Sequence, residues 1–388
     1  MSALPGGYSQ DVRIVHISDC YAPRLGGIET QVRALAIRQA AQGHDVHVIT
    51  ATPSPTVRNG SELLDGVNVH RITARIPADL PVHPRVMKEI RAALSADAAA
   101  AGADAVHVHG GVVSPFAYPG AKVARSLGLP TVVTIHGVWG GVFRPLAKFA
   151  DQLTSWTSWG VALTAVSDAA ADPIRRIVGP SVPVTLVPNG IDVEQWRVSP
   201  VAGDSDELRI VAVMRLAPRK RAVPLVTMVQ KAARELPRGR RIRLVVVGNG
   251  PMESRVRRAI DESLTNCSVD LVGRLTPDAV RSTLADSDVF IAPALLESFG
   301  IAALEARTAG LPVLAFATTG IASFVHHETE GLLANSDDAM VANIVRLAVD
   351  ESLRAQITEH NRSTEPIESW PNVLEMVQQA YARAVELA

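Results

Sequence analysis

Ala294-Leu295-Leu296-Glu297-Ser298-Phe299-Gly300-Ile301-Ala302-Ala303-Leu304-Glu305-Ala306 follows an apolar run, Asp288 to Pro293, and passes into a helical pattern. The run reads as a strand and Glu297 falls in the turn after it. Ser298 is expected as the N-cap, with the backbone N–H groups of Phe299, Gly300 and Ile301 at the head of the helix. A helix start leaves donors unpaired and carries a partial positive charge, so it is a site for an anion. Glu305 follows about two turns on, along a helix flank. Carboxylate, anion cradle and second carboxylate match the hydroxyls, diphosphate and ribose of a nucleotide sugar in order. A buried strand leading into a capped helix with two surface glutamates is the plainer alternative.

The rest of the chain has the setting that such a segment needs. Short apolar runs alternate with helical stretches: Arg13 to Ile17, Val46 to Thr50, Val67 to Ile72, Ala105 to His109, Thr131 to His136, Ala162 to Val166 and Val184 to Val187 read as strands. Helix-like segments such as Thr30 to Gly43 and Val86 to Gly102 separate most of them. The pattern restarts at Arg209 to Met214 and continues through Leu244 to Val247, Val269 to Val272, Val289 to Ala292, Pro312 to Phe316 and Gly331 to Ala334. Such alternation predicts α/β domains with parallel, doubly wound sheets, whose ligands sit beyond the carboxyl ends of the strands. Two repeats around the polar, Pro- and Gly-containing stretch Val198 to Glu207 predict two facing Rossmann-like domains with a cleft between them.

Length and charge agree with this. The 388 residues suit two domains, 47% hydrophobic residues supply two cores, and a net charge of -1 favours neither nucleic acid nor an anionic membrane. Two distant cysteines, Cys20 and Cys267, give no disulfide framework and fit a reducing compartment. The N-terminus shows no signal-peptide pattern and no apolar run has the length of a membrane span, so a cytoplasmic location is expected.

Chemistry-bearing residues fall after the predicted strands. Gly26 and Gly27 precede a helix and let backbone approach a ligand. His136 ends a strand, where an imidazole can serve a sugar hydroxyl or a developing charge, although a lone histidine is more often structural. Arg215 and Lys220 follow the first strand of the second half, as a clamp for a diphosphate would. Gly248-Asn249-Gly250-Pro251 follows the next strand and Gly273-Arg274-Leu275 the one after. No G-x-G-x-x-G fingerprint occurs at Gly26 or Gly248. His107 and His109 alternate along one strand; with no third histidine, Cys or Asp at metal-like spacing, they read as packing or cleft-lining. Asp204-Ser205-Asp206 lies in the linker and Asp286-Ser287-Asp288 precedes a strand, so neither D-x-D is read as a metal site. The aromatic and basic stretch Trp139 to Phe149 fits an acceptor pocket or a membrane interface, and more simply a packed helix.

Taken together these motifs resemble the family 4 retaining glycosyltransferases of the GT-B fold. Glu297 and Glu305 match the family's E-x7-E signature, Gly26-Gly27-Ile28-Glu29 its GGxE loop, His136-Gly137 its His-Gly strand end, and Asn189-Gly190-Ile191-Asp192 its hinge NGxD. Arg215 and Lys220 match its G-R-L-x-x-x-K-G loop, with Met214 and Arg221 standing where the family has glycines. The resemblance implies an N-terminal acceptor-side domain over 1–196, a donor-side domain over 197–368, and a last helix, 369–388, crossing back to the first.

It also implies His136 and Glu297 as catalytic residues. Gly26, Gly27, Arg215, Lys220, Ser298, Phe299, Gly300 and Ile301 would bind the donor diphosphate. Gly248, Arg274, Leu275 and Glu305 would bind the nucleoside. The activity implied is retaining transfer of a hexosyl group from a UDP- or GDP-sugar to a hydroxyl of a lipid, glycan or small molecule in cell-envelope synthesis. No metal or other cofactor is expected, no nucleic-acid partner, and peripheral contact with the inner face of a membrane is compatible. A nucleotide-sugar epimerase of the same architecture and a non-catalytic sugar-nucleotide binder are the alternatives.

Overall fold

The computed structural model describes residues 12–24, 26–73, 85–95, 102–139, 159–201 and 206–388. The chain separates into two compact units: 1–190 with 371–388, and 191–370. The crossings are fixed by a small bridge within the second unit. Ile191 N–H donates to Glu368 O at 2.9 Å and Trp370 N–H donates to Ile191 O at 3.1 Å. The chain therefore passes between units just after Gly190, before the expected boundary at Trp196.

In the first unit, eight strands among the described residues form one sheet: β1 (Arg13–Ser18), β2 (Asp45–Thr50), β3 (Gly60–Leu64), β4 (Val67–Arg71), β5 (Ala105–Gly110), β6 (Thr131–Ile135), β7 (Ala162–Ala165) and β8 (Val184–Leu186). Their order is β3-β4-β2-β1-β5-β6-β7-β8. Helices α1 (Gly27–Ala41), α2 (Val86–Leu94), α3 (Ala117–Ser126) and α4 (Asp168–Val178) lie between them in sequence. Val15, Ile17, Val48, Val106, Val108 and Val132 are fully buried, as expected for parallel strands covered on both faces. Burying one such side chain contributes about 1.5–3 kcal/mol.

Strand β3 is not anticipated by the apolar pattern. It pairs antiparallel with β4 at the sheet edge, and its residues, none of them buried, carry little apolar signal. The Asp65-Gly66 turn, with φ of 53° and 79°, is the hairpin signal that marks it.

The second unit holds β9 (Glu207–Val213), β10 (Arg241–Val247), β11 (Cys267–Gly273), β12 (Val289–Ala292), β13 (Val313–Phe316) and β14 (Gly331–Ala334), all parallel, in the order β11-β10-β9-β12-β13-β14. Its helices are α5 (Val193–Trp196), α6 (Ala222–Glu235), α7 (Glu253–Ala259), α8 (Pro277–Ala285), α9 (Ile301–Thr308), α10 (Asp337–Val349) and α11 (Glu351–Ser363). Ile210, Leu244, Ile291, Leu314 and Leu332 pack against Leu225, Val229, Ile344 and Leu347 in one core. The last helix, α12 (Trp370–Leu387), belongs to the first unit from Pro371 onward. No described helix is long and apolar enough to cross a membrane.

Both sheets reverse their direction of growth once, β1 beside β5 in the first and β9 beside β12 in the second. Each reversal leaves a crevice beyond the strand ends, because successive loops depart to opposite sides.

Gly331 tests the packing of the second sheet. A Cβ there would lie 1.9 Å from Val313 O on the paired strand. Gly331→Ala is expected to destabilise the protein by about 1–3 kcal/mol, as an overpacked core position does, read as a lower melting temperature. An unchanged melting temperature would contradict the close β13–β14 approach.

Candidate active site

The reversal between β9 and β12 brings together two loops far apart in sequence. The loop after β9 carries Arg215 and a 3-10 turn, Pro218–Lys220. The loop after β12 carries Glu297. Lys220 Nζ donates to Glu297 Oε2, and both side chains keep partial exposure, 21% and 16%. A cation and a carboxylate are thus held half-covered at the crevice, each with capacity left for a ligand. Arg215 is exposed and has no side-chain partner among the described residues.

Arg221, which stands where the resembling loop has glycine, does not add a free cation to this loop. Its guanidinium makes two bonds to the Asp337 carboxylate, at 3.0 and 2.7 Å, and one to Pro293 O at 3.2 Å. It is committed to holding the β9 and β12 loops to the start of α10. Its φ of 58° is left-handed, the conformation that a glycine would supply at least cost.

The glycines after β10 let its loop close on the β9 loop. A Cβ at Gly248 would fall 1.9 Å from Met214 O, and one at Gly250 2.5 Å from Leu216 O; both have positive φ. In return, Leu216 N–H donates to Asn249 O at 2.8 Å and Met252 N–H to Leu216 O at 2.9 Å. Gly248 therefore shapes the Arg215 loop through close backbone contact. Arg274 is exposed and Leu275 half-buried after β11, the edge strand two places from β9.

Ser298 is not the cap of α9. The N-cap is Gly300, with φ 92° and ψ 60°, and no side chain caps the helix. The chain needs a left-handed residue to turn from the β12 loop into α9, and a Cβ at Gly300 would strike Ile321 at 2.6 Å. Phe299 is buried and packs on Phe324 at 5.1 Å between ring centroids, so only its backbone faces the turn. The segment is braced by Gly320, whose N–H donates to Glu297 O at 2.8 Å and whose missing Cβ makes room for Ser298 O. Gly320 belongs to no motif of the sequence; a glycine just after a strand, at Thr319-Gly320, is the signal that marks it.

Glu305 lies in the second turn of α9. The residue is partly exposed, yet the surrounding chain crowds its carboxyl, and this burial pushes its pKa up to about 8. It has no hydrogen-bond partner among the described residues. A crowded carboxyl without donors is suited to a ligand bearing hydroxyls.

The first unit contributes a different arrangement. Gly26 is the extended N-cap of α1 and Gly27 its first residue, both exposed. His136 follows β6, is 9% exposed, and its backbone N–H donates to Gly110 O at 2.8 Å. The reading of His107 and His109 as lacking a third histidine is corrected: the β1–β5 register places His16 beside His107. Ligand atoms of His16, His107 and His109 lie within 4.8 Å of one another. All six ring nitrogens, however, already have partners: His109, Gln39, Tyr381, Thr134, His136 and His16. The rings of His107 and His109 stack at 4.1 Å, so their in-plane lone pairs do not converge. The geometry favours a hydrogen-bond network over a metal centre.

Asp288 bonds the backbone and guanidinium of Arg209, the latter at 2.8 and 3.1 Å, a structural role for that D-x-D. Asp204, Ser205 and Gly140 to Phe149 lie outside the described residues, while Trp139 packs edge-on to Tyr118 at 6.2 Å.

The fold is that of the GT-B glycosyltransferases. The model for Glycosyltransferase Family 4 matches residues 25–195 and that for Glycosyl transferases group 1 matches 195–364. The chain belongs to the family 4-like glycosyltransferases of the GT-B fold. It is 24% identical to the phosphatidylinositol N-acetylglucosaminyltransferase gpi3 subunit of Schizosaccharomyces pombe, over 94% of this chain and 79% of the relative. It is 27% identical to D-inositol 3-phosphate glycosyltransferase 1 of Catenulispora acidiphila, over 93% and 91%. Among solved structures it is similar to Anabaena Alr3699/HepE in complex with UDP and glucose, with a TM-score of 0.70, 16% identity, and 96% and 100% of the two chains covered.

The raised pKa of Glu305 predicts a pH dependence. An unfolded glutamate releases its proton near 4.5, whereas the folded protein holds this one up to about 8. Between those values the native state binds more protons, so this residue's contribution to stability falls as pH rises. In ligand-free protein, Glu305→Gln is expected to remove that fall, so the variant gains on the wild type in melting temperature from about pH 5 to 8. Parallel melting curves would contradict the crowded carboxyl.

Proposed function

We propose that this chain transfers a hexosyl group from a nucleoside diphosphate sugar to an acceptor hydroxyl with retention of configuration. The observation that carries this reading is the Lys220–Glu297 pair at the β9/β12 reversal, beside the uncapped start of α9 and the crowded Glu305. Lys220, Arg215 and the first N–H groups of α9 take the diphosphate; Glu297, released from Lys220, takes sugar hydroxyls; Glu305 takes the ribose. Gly248, Arg274 and Leu275 line the nucleoside, and the backbone of Gly26 and Gly27 is open for a phosphate contact. The names of similar proteins, an N-acetylglucosaminyltransferase subunit and a UDP complex, favour a UDP-sugar. Two relatives named for inositol-containing acceptors favour a polyol or lipid-linked hydroxyl.

In this mechanism the bond between the anomeric carbon and the diphosphate oxygen breaks, and the electron pair leaves with the diphosphate. The acceptor oxygen bonds the anomeric carbon on the same face, and its proton passes to the departing phosphate oxygen. Negative charge grows on the diphosphate, where fixed cations and helix N–H groups stabilise it most. His136 and Glu297 hold the sugar while positive charge develops on its ring. The clamp is made of cations from the chain, and no metal is called for in these steps.

Lys220→Ala and Glu297→Ala are each expected to lower kcat by about 10²–10³, with melting temperatures near that of the wild type. Either variant transferring at wild-type rate would remove these residues from the site. The donor is read by thermal shift with UDP, GDP and ADP, each with and without chelator. A nucleotide at a hundred times its Kd stabilises by about 2.7 kcal/mol. A shift with UDP alone, unchanged by chelator, is expected. No shift with any of the three would overturn the donor site. Isomerisation of the sugar without transfer would assign an epimerase instead, and the anomeric configuration of a transfer product tests retention.

A further inference from the structure

The first unit contains a buried chain of hydrogen bonds that ends on His136. Gln39 of α1 donates through Nε2 to the Tyr381 hydroxyl at 2.9 Å, and its Oε1 lies 2.7 Å from His16 Nε2. His16 Nδ1 lies 3.0 Å from His109 Nε2, and His109 Nδ1 lies 3.2 Å from His136 Nε2. Gln39, His16 and His109 are each 3% exposed or less. His136 Nδ1 has no partner among the described residues.

The direction of the bonds follows from the donor and acceptor capacity of each group. A carbonyl oxygen only accepts, so His16 Nε2 carries a proton. A neutral imidazole has one proton, so His16 Nδ1 accepts, and His109 Nε2 must donate to it. His109 Nδ1 then accepts, and His136 Nε2 donates. The remaining nitrogen, His136 Nδ1, is left with a lone pair. Burial keeps the rings neutral: it lowers His16 and His136 to about 4 and His109 well below its ordinary value. The same rule runs along the branch from Tyr381, whose hydroxyl donates to His107 Nδ1 at 3.0 Å while His107 Nε2 donates to Thr134 Oγ1 at 2.7 Å.

A second pair in this unit shows what a charge does in the same role. His47 Nε2 meets the Asp45 carboxylate at 3.0 Å, which sets the direction through His47 Nδ1 and His70 Nε2 at 2.8 Å to Ser61. Along the His136 chain a neutral amide replaces the carboxylate. Reversal of the Gln39 amide would reverse every proton along it.

We infer that Gln39, His16 and His109 are positioning residues that fix the tautomer of His136, with the proton on Nε2, so that Nδ1 meets the ligand only as a hydrogen-bond acceptor. The group opposite it is then a hydroxyl, and not a phosphate or ring oxygen. The role of that hydroxyl rests on the glycosyl-transfer reading above; the tautomer itself does not.

The test is nitrogen-15 NMR of histidine-labelled full-length protein at neutral pH, with the His136 signals assigned by their loss in His136→Gln. The expected spectrum has a protonated Nε2 and a bare Nδ1 at His136. A protonated Nδ1 or an imidazolium in the wild type overturns the inference without any further variant. Gln39→Leu and His109→Leu are expected to mix or reverse the tautomer. His109→Gln restores it, because its amide can accept from His136 and donate to His16. A His136 tautomer unmoved in both leucine variants would also overturn it. With UDP-glucose as the probe, His109→Leu is expected to lower kcat at least about tenfold, as loss of an orienting partner does, with little change in KM. A loss in both hydrolysis and transfer assigns the hydroxyl to the donor sugar, and a loss in transfer alone assigns it to the acceptor. Unchanged kcat in a variant with an altered tautomer removes the positioning role. A fixed tautomer without turnover of any nucleotide sugar supports the tautomer assignment and overturns the enzyme reading instead.

Discussion

The pairing of β9 with β12 is the constraint on which the second unit's site depends. These strands are hydrogen-bonded neighbours, Ile210 opposite Val289, although two other strands and their helices lie between them in sequence. Parallel neighbours send their following loops from the same end of the sheet, so the loops bearing Lys220 and Glu297 must leave side by side. Because the chain turns outward in opposite directions from this pair, nothing in the sheet fills the space between them. The ion pair and the bracing by Arg221 follow from that one adjacency.

Glycine sets the fine geometry where backbone meets backbone. Gly248 and Gly250 let the β10 loop press on the carbonyls of the β9 loop, and Gly320 does the same for the β12 loop. These contacts hold Arg215 and Glu297 on backbones that interlock, so loop residues gain the rigidity of the sheet. Phe299 contributes by packing its ring inward, which leaves the helix start to main-chain donors. Arg221 stands where the related loop has glycine and turns a departure from that pattern into a brace against Asp337.

The first unit uses the same sheet architecture to carry polarity instead of charge. Its histidines come from adjacent strands, and the register sets them in a row across the sheet, with His16 beside His107 and His109 beside Thr134. Buried imidazoles are acceptable there because each ring of His16, His107 and His109 has both nitrogens bonded. A satisfied buried network has few alternative arrangements, and so it specifies orientation as well as stability.

The sequence by itself determined the two parallel α/β units, the positions of most strands, the loops that carry Lys220, Gly248 and Glu297, and the helix that carries Glu305. Alternation of apolar runs with helical stretches is a local property, and ligand loops follow strand ends by rule. It did not reveal β3, whose exposed edge residues lack the apolar signal, nor the true cap of α9. A serine before a helix is a good cap in isolation, but the turn required a left-handed backbone that Gly300 supplies. Nor did it show that Arg221 is tied to Asp337, that Glu305 is crowded, or that His16 completes a row with His107, His109 and His136. Those facts depend on which strands become neighbours and in what register. That is decided only when the whole sheet forms, because the partners are distant along the chain and meet through packing alone.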